Sequence, residues 1–291
     1  MSKSIGDRMK EYEAVTTAAT LTRRVPAILR LDGRGFHTFS SRLESPYDEV
    51  FHQCMTKVAI DLCRAVQGSQ FAYHFSDEIS ILVTDYQSID TDAYFAYSLQ
   101  KVLSITASAC TSFFASSCME RMPGWFPPFP MFDCRAFSMP KEDVPNYFLW
   151  RQQDCTRNSI QTIARCHYSH KQLLNVNTSK MQDMLMEKGV NWNDFPTRIK
   201  RGIGIFKWSG GKVSVTEGPR DRWVADYEMP ILTADWGYVH RWTEDTVALE
   251  EGVDPSRFRS VTDLGFKEKR RDDVKADEHN PEDPEQTTTI M

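Results

Sequence analysis

Two short stretches carry residue types that could hold a metal and a phosphate. Arg30-Leu31-Asp32-Gly33-Arg34-Gly35-Phe36-His37 and His74-Phe75-Ser76-Asp77-Glu78 each place a carboxylate just past an apolar run. The runs are Ala27-Ile28-Leu29 before Asp32 and Phe71-Ala72-Tyr73 before Asp77. Both read as strands, so both carboxylates fall at strand ends. Gly33 and Gly35 let the chain turn tightly past the first strand, which brings main-chain groups close to a ligand. Two hard oxygen donors beside such a turn suit Mg²⁺, which is held by one or two carboxylates plus substrate phosphates. Two such ions can clamp the attacking and leaving oxygens of an in-line displacement.

The elements that must position these groups can be read from periodicity. Met1–Thr22 opens with an amphipathic helix carrying Met9, Tyr12 and Val15. Pro26–Leu31 is a short strand, and Phe36–Tyr47 is a loop closing at Ser45-Pro46. Asp48–Val66 repeats Val50, Phe51, Met55, Val58, Ala59 and Leu62 at helical spacing, with acidic residues in its first turn. Phe71–Phe75 and Ile79–Val83 form a hairpin around Ser76-Asp77-Glu78. Asp92–Ser117 is a second long helix, and Met131–Ser138 a fourth strand. The order β-α-β-β-α-β is the split βαβ pattern of ferredoxin-like antiparallel sheets, an α+β fold. In that sheet the first strand lies beside the third, so Asp32 and Asp77 are expected to meet at one edge.

Further along, Glu142–Tyr168 reads as a long helix, and Ser169–Leu174 and Ser179–Lys188 as short ones. Trp192–Ile199 is a loop. Arg201–Trp208 and Lys212–Glu217 form a hairpin extension around Ser209-Gly210-Gly211, and Trp223–Tyr227 and Ile231–Trp236 are short strands. The organisation expected is a catalytic core over residues 1–140 and a helical and hairpin part packed on it over 141–266. A disordered acidic tail follows over 267–291.

Of the net charge of −5, −4 resides in Glu268–Met291, which holds four basic and eight acidic residues, leaving the body near −1. A near-neutral body can still carry a local basic groove. The seven cysteines form no CxxC pair and sit mostly in apolar stretches, as buried free thiols do in a reducing compartment. The N-terminus has no apolar signal region and no run reaches transmembrane length, so a cytoplasmic protein with no membrane partner is expected.

Four segments at these spacings resemble the tRNA-His guanylyltransferase superfamily. They are Asp32-Gly33-Arg34-Gly35-Phe36-His37, Ser76-Asp77-Glu78, Phe132-Asp133-Cys134-Arg135 and Trp150-Arg151-Gln152-Gln153-Asp154, and the likeness spans roughly Asp7 to Trp208. It implies a core like the palm of polymerases, working in the opposite direction to add nucleotides to the 5′ end of an RNA. Asp32 and Asp77, with the main-chain carbonyl of Gly33, would bind two Mg²⁺ ions, and Glu78 would support the metal aspartate. The backbone of Gly33, Arg34, Gly35, Phe36 and His37, with Ser76, would hold the triphosphate of ATP or GTP. Lys101 would lie near that triphosphate. Arg151, Arg157, Asn158, Lys171, Lys180, Lys200, Arg201 and Lys207 would serve the RNA or its phosphates.

Guanylyltransferases proper carry His-Ile-Asn-Asn-Leu-Tyr-Asn where this chain has Thr156-Arg157-Asn158-Ser159-Ile160-Gln161-Thr162. Only Asn158 keeps its identity. The resemblance is therefore to the guanylyltransferase-like branch, which extends truncated tRNA 5′ ends by copying the opposite strand. It implies tRNA or tRNA-like RNA and nucleoside triphosphates as partners, and a homotetramer. Two other readings use the same residues. A palm-type nucleotide cyclase would use both aspartates without RNA, although the Gly-Gly-Asp/Glu-Glu-Phe hairpin of diguanylate cyclases is absent. A non-catalytic RNA-binding protein would be built on an inactive palm, against which the intact Asp32, Gly33 and Asp77 argue.

Overall fold

Alternation decides the first strand. Ala27, Leu29 and Leu31 point into one apolar core while Ile28 joins another on the opposite face. A computed structural model describes residues 4–122, 124, 129–208, 222–244 and 255–266. Its elements in chain order are α1 (Ile5–Thr17), β1 (Ala27–Arg34), α2 (Phe36–Ser40), α3 (Glu49–Ala65), β2 (Ser69–Phe75) and β3 (Glu78–Val83). There follow α4 (Leu99–Arg121), β4 (Met131–Ser138), α5 (Val144–His167), α6 (His170–Leu173) and α7 (Thr178–Glu187). The last are α8 (Thr197–Arg201), β5 (Ile203–Trp208), β6 (Arg222–Asp226), α9 (Gly237–His240) and β7 (Phe258–Arg259).

The seven strands make one antiparallel sheet in the order β4-β1-β3-β2-β5-β6-β7. Its first four positions are the ferredoxin-like order, with β1 beside β3 as expected. Helices α3 and α4 cover one face, burying Met55, Val58 and Phe114 against Leu29, Leu31 and Ile81. Helix α5 lies on the other, burying Tyr147 and Phe148 against Ile28, Phe71 and Leu82. The distal half of α5 then carries α6 and α7 through Ile160, Ile163, Leu173, Met181 and Leu185. Local signals start these helices where the sequence indicated: Asp48 caps α3 by accepting the Phe51 N–H at 2.8 Å.

Several boundaries differ from expectation. Phe36–Tyr47 is not all loop, because Phe36 and Phe39, one helical turn apart, bury their rings together and fold α2. The second long helix starts at Leu99 rather than Asp92, behind a 3₁₀ turn over Tyr94–Tyr97 in which Phe95 and Ala96 take left-handed backbone. Ile231–Trp236 is not a strand. The Leu232 N–H bonds the Gln152 side chain at 2.9 Å instead of a neighbouring strand, and the segment turns into α9. Trp192–Ile199 contains a 3₁₀ turn and the start of α8. The second hairpin strand, Lys212–Glu217, and the tail from residue 267 lie outside the described residues. The described partners of β5 are β2 and β6, so the part after residue 140 completes the sheet of the first part.

Helix α4 is long and apolar enough by composition to cross a membrane, contrary to the expectation that no run is, with a mean hydropathy of 1.4 over its best stretch. Here its Val102, Cys110, Phe114 and Cys118 pack into the core. All seven cysteines are free thiols, five of them buried, Cys134 half-buried and Cys166 exposed.

Candidate active site

Strands β2 and β3 are joined by a two-residue turn, Ser76-Asp77, between the paired Phe75 and Glu78. Ser76 holds φ 50°, left-handed backbone that a non-glycine residue adopts at a cost on the order of 1–3 kcal/mol. Its hydroxyl donates to Asp77 Oδ1 at 2.9 Å. The turn abuts the end of β1. A Cβ built on Gly33 would stand 2.8 Å from Asp77 Oδ2 and 2.0 Å from Cδ2 of Phe36. The Asp77 carboxylate therefore lies against the main chain of the residue after Asp32, as the topology required.

Burial pushes the Asp77 carboxyl up to about 6, the Ser76 hydroxyl draws it back down, and the charges of Asp32 and Glu78 raise it further. A buried carboxyl raised in this way, with the Asp32 charge nearby, suits a divalent cation, whose charge would favour its ionised form. The donor set of carboxylate and carbonyl oxygens, with no thiolate or imidazole, fits hard Mg²⁺. Among the described residues no group of three or more His, Cys, Asp or Glu is arranged to hold a metal. The groups of this corner that could hold a cation are the two aspartates, with the Gly33 main chain against Asp77.

The rest of the loop is exposed backbone over a buried anchor. Arg34, Gly35 and His37 are exposed. Gly35 turns through φ 74° into α2, whose first N–H groups lack intrahelical acceptors. Phe36 is buried, with its ring against Phe39, Phe51, Phe114 and Phe132 at centroid distances of 5.3–6.1 Å. It can offer a ligand only its main chain. A cleft of about 460 Å³ opens beside Ser76, lined by the Ser40–Tyr47 connection, by Asn158, Gln161 and Arg165 of α5, and by Arg198. The structure thereby brings Asn158 and Ser76 to one cleft.

Other expected residues are placed elsewhere. Glu78 does not face the metal position. It is 5% exposed, accepts from Arg30 Nη2 at 2.6 Å and receives Arg151 Nη1 on both oxygens at 2.8 and 3.0 Å. Adjacent strand residues point to opposite faces, so Glu78 must turn away from Asp77. Arg151, 2% exposed and consumed by that ion pair, is not an RNA contact. Lys101 is exposed in the first turn of α4, beside Ala19, where β1 begins rather than where it ends. The ten residues from Lys101 to Thr111, which meets Phe132 near the site, span about 15 Å of helix. Within one chain Lys101 is not brought to the aspartates.

Arg157 pairs with Asp154. Lys200 donates to the Asn193 carbonyl, and Arg201 to that of Met229. Lys180 and Lys171 are exposed on α7 and α6. Lys207 is exposed on β5. Sequence reasoning passed over Arg30 and Asp133. Asp133 is the cross-strand partner of Asp32 on β4, and Arg135 that of Arg30. Their signal was alternation: residues 30 and 32, 133 and 135 share one face of two paired strands.

A ferredoxin-like sheet with two acidic groups at the junction of its first strand and its central hairpin is the layout of palm-type nucleotidyl-transfer enzymes. Comparison with known proteins agrees. Residues 6–140 match the protein-family description tRNAHis guanylyltransferase. A bacterial tRNA(His) guanylyltransferase (Thg1)-like protein solved in complex with ATP superposes with a TM-score of 0.76 at 40% identity, covering 84% of this chain and all of that one. The bacterial Thg1-like protein in complex with GTP gives a TM-score of 0.71 at 38% identity, covering 83% and 99%. The tRNA(His) guanylyltransferase 2 of Arabidopsis thaliana is 28% identical over 229 residues, which are 71% of this chain and 40% of that protein. The chain belongs to the tRNA-His guanylyltransferase superfamily of nucleotidyltransferases.

Proposed function

We propose that the protein is a template-dependent 3′–5′ nucleotidyltransferase that adds nucleotides to the 5′ end of tRNA or tRNA-like RNA in the cytoplasm. The observation that carries this reading is the Asp77 carboxylate held against Gly33, next to Asp32. In the first step the RNA 5′-monophosphate attacks the α-phosphorus of ATP or GTP and pyrophosphate leaves. In the second, the 3′-hydroxyl of an incoming nucleoside triphosphate attacks the activated 5′ phosphate and the nucleotide leaves. Asp32, Asp77 and the Gly33 carbonyl would hold two Mg²⁺ ions, which supply charge neutralisation of the phosphoryl oxygens. The exposed backbone from Gly33 to His37 and the Ser76 hydroxyl orient the triphosphate, with the cleft beside Ser76 receiving the rest of the nucleotide. The incoming base is selected by pairing with the RNA.

ATP and GTP in the related bacterial complexes support these substrates. We also propose a homotetramer. Every described side chain of α1 is exposed, including Ile5 (71%), Met9 (47%), Tyr12 (71%) and Val15 (81%), which leaves an apolar stripe uncovered. The test is transfer of label from a nucleoside triphosphate to a 5′-truncated tRNA in Mg²⁺. The wild type is expected to label the RNA, and Asp32→Ala and Asp77→Ala to lose at least about a thousandfold in rate while keeping wild-type circular dichroism. Turnover within tenfold of wild type in either variant overturns the assignment.

A further inference from the structure

Trp150 is 50% exposed on the sheet face that carries Asp32. Its ring is held by cations: the Arg151 guanidinium lies 3.6 Å from the ring centroid, and Arg30 stands at 5.8 Å. Both arginines are locked by the same buried carboxylate, Glu78. A buried ion network of this kind contributes little net stability compared with apolar packing, so packing alone does not account for it. It does give register. Arg30 is two residues from Asp32 on the same strand face, and Glu78 directly follows Asp77. The indole is therefore tied to both ends of the aspartate pair.

Two exposed cations lie around it, each beside a carboxylate of its own element: Arg135 stands 4.0 Å from Asp133, and Arg157 pairs with Asp154. Arg135 lies opposite Arg30 across the β1–β4 pair, a like-charge rung that is unfavourable on its own, and its side chain is 58% exposed. Arg157, two turns along α5 from Trp150, is 60% exposed. Residues 150, 154 and 157 share one stripe of α5, which leads towards Asn158 and the cleft beside Ser76.

We propose that Trp150 is a stacking platform for a nucleobase of the RNA substrate near its 5′ end, with Arg135 and Arg157 on the adjoining backbone phosphates. The platform stands over Arg30, two residues from Asp32, while the cleft opens at Ser76, next to Asp77, so the cleft takes the nucleoside triphosphate and the platform takes the polynucleotide. An aromatic face accepts any base, which suits an enzyme whose sequence choice is left to pairing. The proposal rests on the RNA-directed reading above, and its test is kept separate from turnover.

Binding of a 5′-truncated tRNA is measured by anisotropy without nucleoside triphosphate, for wild type, Trp150→Ala and Trp150→Phe. Trp150→Ala is expected to weaken binding about tenfold and Trp150→Phe to recover to within about threefold of wild type. Should Trp150→Ala not fold, indole fluorescence reads the same contact: RNA should quench wild type more than Trp150→Phe. Equal RNA affinity of wild type and Trp150→Ala, equal quenching, or a loss that phenylalanine does not recover each overturns the platform. So does an effect confined to the KM for the nucleoside triphosphate, which would assign the ring to the incoming nucleotide instead. Trp150-dependent RNA binding in a protein that transfers no label would sustain the platform and sink the polymerase reading; labelling with unaltered RNA binding does the reverse.

Discussion

Gly33 is the residue on which the site geometry turns. Its hydrogen is what allows the Phe36 ring and the Asp77 carboxylate to close on the end of β1 together. Gly33→Ala is expected to lower unfolding stability by about 1–3 kcal/mol, the usual result of overpacking. It should also cut RNA labelling by about a hundredfold, since a shift on the order of 1 Å at a reacting centre has that effect. Wild-type melting and wild-type labelling together would show that the contact is not as tight as the geometry places it. Gly33 and Asp32 were evident as residues. That Phe36 supplies a buried ring rather than a ligand was not, because an aromatic side chain after a glycine turn reads the same whether it faces a nucleotide or the core.

Among the elements, β2 delivers the Ser76-Asp77 turn and carries a buried histidine just before it. His74 is fully buried, with Nε2 3.0 Å from the Thr56 hydroxyl and Nδ1 without a partner. Burial pushes its pKa down to about 3, and burial with the Arg198 charge brings His52 down to about 4. Both are neutral in the folded chain, whereas the unfolded chain takes up their protons below about pH 6.5. Their contribution is complete above that pH and declines as pH falls towards the folded values. Between pH 7.5 and pH 5 the two together should remove about 4 kcal/mol from the unfolding free energy, measured by urea denaturation. His74→Gln should reduce that decline by about half. An identical pH slope in the variant would refute the assignment. The strand itself was legible from Phe71-Ala72-Tyr73, and the depth of His74 was not, since burial on both faces of β2 comes from α3 and α5 together.

At the scale of the molecule, α1 stands out. Its thirteen residues have no buried side chain among those described, and a helix of that length is marginal in water without tertiary packing. The amphipathic pattern Met9, Tyr12, Val15 was read correctly as helix, but the face it should bury is open in the single chain. Covering that stripe is what the proposed assembly would do. Met9→Asp combined with Tyr12→Asp should reduce the mass seen by light scattering while leaving the circular dichroism of the protomer close to wild type. An unchanged mass would exclude α1 as the contact.

The sequence by itself determined the strand and helix order, the pairing of β1 with β3, and so the approach of the Asp77 turn to the end of β1 at Gly33. Those follow from hydrophobic period and from the rules of split βαβ connection, which act along the chain. Only the tertiary structure decided that Glu78 and Arg151 neutralise each other, that Lys101 sits at the far end of the sheet, and that Trp150 reaches solvent. Each of these depends on which charge meets which across the sheet and on what α5 covers. Such contacts join residues dozens of positions apart, and neither composition nor spacing records them.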